Sequence, residues 1–149
     1  MRLNFAGAPV ITAPPGEVWR KLMDPEFVAQ SGPGVESVER IDPTHFKVIS
    51  GLGVGMIKVR FTLDLELFDI VDGKHLKMRA RGHAPGSAVE VVSSLRLEDA
   101  GKGRTRLNWS ATSDLNGAVA SIGGRFLEST ARRLTEEFWT DFARRAGGG

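Results

Sequence analysis

Between Val35 and Leu115 apolar and polar residues alternate with a period of two, the signature of strands with one buried face. The clearest run is IKVRFTLDLEL. It sets Ile57, Val59, Phe61, Leu63, Leu65 and Leu67 on one side and Lys58, Arg60, Thr62, Asp64 and Glu66 on the other. HLKMRARG repeats the pattern with Leu76, Met78 and Ala80 inward, and TRLNWSATSDL with Leu107, Trp109, Ala111 and Leu115 inward. DPTH, GLGVG, VDGK, HAPGS and DAGKGR punctuate these runs. Their spacing predicts an antiparallel meander of about six strands. Strand does not alternate with long helix, so a parallel Rossmann-like sheet is not expected.

Upstream, Met1 to Ile11 reads as a first strand ending before Pro14-Pro15. TAPPGEVWRKLMD predicts a short helix, with proline in its first turn and Val18, Trp19 and Leu22 as a partial apolar face. In DPEF, Asp24 is placed to cap a second short helix with Pro25 at its first position. Downstream, Ile122, Phe126, Leu127, Ala131, Leu134, Phe138 and Phe142 recur at helical steps, and Arg125, Glu128, Arg132, Arg133, Glu136, Glu137 and Arg144 share the other face. The entrance of this helix, NGAVASIGGRFLES, holds Gly117 and the Gly123-Gly124 pair. Glycine inside a helix costs about 0.5–1 kcal/mol relative to alanine. A simple loop accounts easily for Gly117 and less well for the pair; the alternative expectation is that all three keep the first turns thin, either for tight packing on the sheet or at the mouth of a cavity.

A helix of about 25 residues and a strand of about 11 are both roughly 36 Å long. One long helix can thus lie along one long sheet, apolar stripe to apolar face, and leave a wedge between them. The whole chain, at 149 residues, has the size of one domain, and its 41% hydrophobic content suffices for one core. No stretch reaches the roughly 20 apolar residues that span a membrane, and the first residues lack the continuous apolar run of a signal peptide. The absence of cysteine removes disulfides, a thiol nucleophile and thiolate metal sites, and fits the cytoplasm. The pI of about 9.3 comes from a net charge of only +2, because little titrates between histidine and lysine in a chain without Tyr or Cys. It does not mark a nucleic-acid binder.

Catalytic and metal chemistry find few candidates. His45, His75 and His83 are spaced as turn and surface histidines rather than as ligands. GLGVG leads into a strand, not into the helix N-terminus of a phosphate loop, and no serine sits on a G-x-S-x-G elbow. Asp64 and Glu66 share the polar face. The inward face is more informative. Trp109 precedes the small Ala111, which leaves space beside the ring, and Ser93 and Ser113 interrupt apolar rows. A buried hydroxyl needs a partner, from backbone or water or from a mostly apolar ligand.

The order of these elements resembles the START-like, or helix-grip, superfamily. The match to the family of the carbon monoxide dehydrogenase G subunit rests on APPGEVWRKLMDPE (Ala13 to Glu26), GPGV (Gly32 to Val35), GVGMIKVRF (Gly53 to Phe61), RGHAPGSA (Arg81 to Ala88), TRLNWSA (Thr105 to Ala111) and GAVASIGGRFLES (Gly117 to Ser129). The resemblance implies an α+β helix-grip domain over residues 1–146, with a flexible glycine tail at 147–149. A curved antiparallel sheet of about seven strands, two short helices after the first strand and one long C-terminal helix are expected. It also implies a carrier of apolar, quinone- or lipid-like molecules, accessory to a molybdenum hydroxylase, without catalytic residues, metal or cofactor. The expected ligand contacts are Phe61, Leu63, Met78, Ser93, Trp109, Ile122, Gly123, Phe126, Leu127 and Thr130, with Ser93 as polar anchor. Expected partners are the apolar molecule and the hydroxylase, with no nucleic acid and at most peripheral contact with the inner face of a membrane, as a monomer or homodimer. The alternatives are a cyclase or hydrolase using the same cavity, and an assembly factor whose cavity is filled by its own side chains.

Overall fold

The computed structural model describes residues 1–32, 34–54, 56–118, 120 and 124–147, and the side chains of all of these except 52–54, 57, 59 and 124–126. The two-residue period becomes β3 (Val35–Asp42), β4 (His45–Val54), β5 (Ile57–Val71), β6 (His75–Ala84), β7 (Ser87–Gly101) and β8 (Arg104–Gly117), each paired antiparallel with the next. The expected first strand is two: β1 (Arg2–Gly7) and β2 (Val10–Ile11) both pair with β8. Pro9, which has no N–H to offer a ladder, lies in the break. The result is one curved eight-stranded sheet in the order β1-β8-β7-β6-β5-β4-β3, with β2 beside β1 on β8.

Helices α1 (Pro15–Leu22), α2 (Pro25–Ala29) and α3 (Gly124–Ala146) complete the domain. The Asp24 carboxylate accepts from the backbone N–H groups of Glu26 and Phe27 at 3.2 and 3.3 Å, so the expected cap is in place. Gly117 follows the loop alternative and not the helical one. It ends β8 with φ +81, and the Ala118 N–H donates to the Gly86 carbonyl at 2.7 Å, so it closes the end of the last strand against the β6–β7 turn and does not lie in the first turn of α3. Gly123 lies outside the described residues, and Gly124 is the first residue of α3.

α3 crosses the inward face antiparallel to β8, since Arg132 stands over Phe5, the partner of Ala111, Trp139 lies on Trp109, and Ala146 reaches Lys21 on α1. Its C-terminal half is anchored by aromatics. Trp139 stacks on Trp109 with centroids 6.1 Å apart, and meets Phe138 and Phe142 edge-on at 4.7 and 5.7 Å. Gly7 makes room for Trp109, since a Cβ there would come within 2.6 Å of the indole nitrogen. At the far end Arg145 donates to the Phe27 carbonyl at 2.6 Å and to the Ser31 hydroxyl, pairs with Asp141 at 3.0 Å, and stands 4.2 Å over the Phe27 ring. Partial burial pushes the Asp141 carboxyl up, but hydrogen bonds from Arg144, Arg145 and Ser31 outweigh that and hold it below the usual carboxylate range. This cluster ties α3 to α2.

The convex face carries exposed charge pairs, among them Arg60–Glu36 at 2.9 Å and Arg81–Glu90 at 2.9 Å. At the β3–β4 turn His45 Nδ1 lies 2.9 Å from Asp42, and Nε2 lies 3.5 Å from Glu66. The Asp42 hydrogen bond is the main cause raising the His45 pKa. The backbone N–H of Thr44 and then the His45 hydrogen bond lower that of Asp42. His45 therefore contributes stability that is full below its unfolded value, about 6.5, and is lost as pH rises through its folded value. Asp42 contributes above its own unfolded value and loses that as pH falls through its lowered folded value. His45→Gln is expected to lower the urea midpoint more at pH 5.5 than at pH 8.5. Equal losses at both pH values would mean that the histidine charge contributes nothing to folding.

Candidate functional site

The inward residues form rows across the sheet, set by register. Leu63, Gly82, Val89 and Leu115 make one row, and Leu65, Ala80, Val91, Ser113 and Leu3 the next. Leu67, Met78, Ser93, Ala111 and Phe5 follow, and then Leu76, Leu95, Trp109 and Gly7. Inward residues of β4 (Phe46, Val48 and Ser50) extend the face toward the β3 edge.

Packing is graded along these rows. Where α1, α2 and the end of α3 cover the sheet, Val18, Leu22, Leu76, Leu95, Leu107 and Phe142 are at most 1% exposed. Toward the β6–β7 turn and the start of α3, the inward Leu63, Leu65, Met78, Val89 and Val91 are only partly buried. The side chains there are also smaller, with Ala80, Ser93, Ala111 and Ser113 in adjacent positions of the rows, while Leu63 fills the space over Gly82, its Cδ2 within 2.6 Å of where a Cβ would stand. One end of the wedge is a solid core and the other is loosely filled.

Hydroxyl groups mark the looser end. Ser93, Ser113 and Thr130 are 7%, 6% and 8% exposed. None of the three donates or accepts a side-chain hydrogen bond within the described structure. Yet no described side-chain oxygen is both sealed and unpartnered. The three oxygens therefore open onto free space. Thr105, by contrast, is fully buried at the solid end and donates to the Ala13 carbonyl at 2.7 Å.

The expected ligand contacts divide along this gradient. Leu63, Met78 and Ser93 lie on the loosely packed rows, and on α3 Leu127, part of the apolar core, and Thr130 are 3% and 8% exposed. Trp109, 5% exposed and stacked on Trp139, forms the floor where the solid core begins. Phe61 is 3% exposed on the β5 side. Ile122, Gly123 and the Phe126 side chain lie outside the described residues. Ala80, Val91 and Ser113 join the site without having been expected there, although their period-two placement already sets them inward. The side chains named on these rows include no acid, histidine, lysine or arginine.

Elsewhere a trough of about 650 Å³ follows the outer face of α3, lined by Glu128, Arg132, Arg133, Glu136, Glu137 and neighbours. Its walls come from one helix and are mostly charged, so it is a solvated face and not an enclosed site. No described helix is long and apolar enough to cross a membrane.

The sequence model of the CoxG family, described as the G subunit of carbon monoxide dehydrogenase, matches residues 7–147. No curated protein matches the chain in sequence. A conserved protein from Geobacillus kaustophilus superposes with a TM-score of 0.87 at 26% identity, over 98% of this chain and 96% of that one. The Zhui aromatase/cyclase from Streptomyces sp. R1128 gives 0.68 at 15% identity, over 99% and 92%. The protein described as Ara h 8.0201 gives 0.70 at 12% identity, over 100% of both chains. These likenesses show the helix-grip, START-like fold.

Proposed function

Since the chain belongs to the CoxG family, we propose that it binds a quinone- or lipid-like apolar molecule, without catalysis, as an accessory to a molybdenum hydroxylase of the carbon monoxide dehydrogenase type. The observation that supports this reading is the graded packing, with a solid core at one end and half-buried apolar side chains around unpartnered hydroxyls at the other. Apolar walls with a few polar points suit a small-molecule pocket. Cyclase chemistry on the same fold needs an acid or base facing the substrate. The inward rows named above supply only hydroxyls, which favours binding over turnover.

The reporter for this reading is N-phenyl-1-naphthylamine, a neutral dye that brightens in apolar surroundings. It is expected to bind one per chain. Val91→Trp, which fills the loose end, is expected to abolish binding while the circular dichroism spectrum holds. Ala80→Leu is a smaller plug should Val91→Trp fail to fold. A wild-type protein that does not bind the dye, or plugged variants that bind it as well, would favour an assembly factor with a filled interior. Accessory function has its own measurement: the hydroxylase partner, co-expressed with and without this chain, should differ in assembly or in electron delivery to quinone.

A further inference from the structure

Resting on the binding reading above, we propose that Ser93, Ser113 and Thr130 form one recognition site for a neutral, oxygen-bearing head group, which enters first and leaves its apolar tail toward the β6–β7 end of the wedge.

The three hydroxyls come together by register. Ser93 pairs across β7–β8 with Ala111, and Val91 pairs with Ser113, so the two serines are diagonal neighbours on one face. Such neighbours lie about 7–8 Å apart. Thr130 is placed by the tryptophan stack. Ser113 is four residues beyond Trp109 on β8, about 13 Å at the rise of a strand. Thr130 is nine residues before Trp139 on α3, about 13 Å at the rise of a helix. Because α3 returns antiparallel to β8, Thr130 reaches the level of Ser113. The Arg132 guanidinium 5.0 Å over the ring of Phe5, which pairs with Ala111, fits the same alignment.

Chemistry then selects the ligand. Without a ligand, water in the open space serves the three hydroxyls. A purely aliphatic molecule would displace that water and strand them, and an unpartnered buried hydroxyl is costly. A carbonyl, ether or hydroxyl oxygen replaces the lost bonds. A carboxylate or phosphate does not fit as well. Its desolvation needs an opposite charge or several strong donors; the inward rows named above contain no cation, and the Arg132 guanidinium over Phe5 is exposed and already paired with Glu128 at 3.3 Å. The site therefore selects neutral oxo- or hydroxy-compounds over both hydrocarbons and anionic lipids. Trp109 and Trp139 close the floor beneath the hydroxyls, so the head group stops there and the tail points away from the solid core.

The test is competition against N-phenyl-1-naphthylamine by chains of matched length: 2-tridecanone, tridecane and dodecanoate at pH 8. The ketone is expected to displace the dye at about tenfold lower concentration than either of the others. The triple variant Ser93→Ala, Ser113→Ala, Thr130→Val keeps the cavity's shape. It should lose that tenfold advantage, because tridecane no longer strands hydroxyls and competes at lower concentration, and unfold at an unchanged or higher urea concentration. Ser93→Ala, Ser113→Ala alone serves if the triple variant does not fold. Dodecanoate competing as well as the ketone would overturn the proposal, as would a ketone advantage that survives loss of the hydroxyls. In either case dye binding would leave the broader reading standing. Absence of dye binding in the wild-type protein would remove both.

Discussion

Trp139→Ala is expected to destabilise the protein by about 3–5 kcal/mol, the range for truncating a large buried aromatic. Trp139 is 4% exposed and touches Trp109, Phe138 and Phe142, so its removal leaves a void bordered by three rings. The surroundings cannot collapse into it easily. Trp109 lies hard against Gly7, and Arg145 fixes the end of α3 on α2. For a domain whose total stability is about 5–15 kcal/mol, the loss is a large fraction. Urea unfolding at constant m-value measures it. Trp139→Phe should recover part of the loss, and a loss below about 1 kcal/mol for Trp139→Ala would show that the stack does not hold α3 on the sheet.

Gly117→Ala is expected to cost about 2–5 kcal/mol, from two separable sources. Its φ of +81 is a conformation that costs an L-residue about 1–2 kcal/mol. A Cβ there would also stand 2.1 Å from the Gly86 carbonyl oxygen, and that backbone is held by the hydrogen bond from Ala118. Overpacking of this kind adds about 1–3 kcal/mol. Gly86→Ala provides the comparison, because Gly86 has φ +76 but nothing within 4 Å of its Cβ position. Gly86→Ala should therefore show only the conformational part. Equal losses in the two variants would eliminate the contact with Gly86 as a cause.

The contrast between these glycines shows where the sequence was legible. Alternation in β5 and the Asp24 cap depend on neighbouring residues alone, so both read correctly from the chain. Gly117 depends on Gly86, thirty-one positions away, and local context alone does not decide between a loop and a first helical turn. Trp139 follows Phe138 directly and so looks redundant on that stripe, yet it stands three residues before Phe142 and its partner is on β8. The site was half legible. Ser93 interrupts an apolar row and could be found by period alone. That Ser93, Ser113 and Thr130 lack partners among the described residues depends on the spacing between helix and sheet, which no local pattern encodes.

The pairing of β1 with β8 joins Arg2 to Asp114, and Lys21 on α1 donates to the Ala146 carbonyl at 3.4 Å. The six-strand meander can zip hairpin by hairpin as it leaves the ribosome, and α1 and α2 can cover one end of its inward face, but the rows at the other end have no cover until α3 has been made. At about 5–20 residues per second, the nascent sheet then spends seconds with its apolar rows open. For that interval the rows that later enclose a ligand are an exposed surface for chaperones or for other nascent chains. Translation speed through β8 and α3 thus becomes a determinant of yield that the finished fold does not reveal.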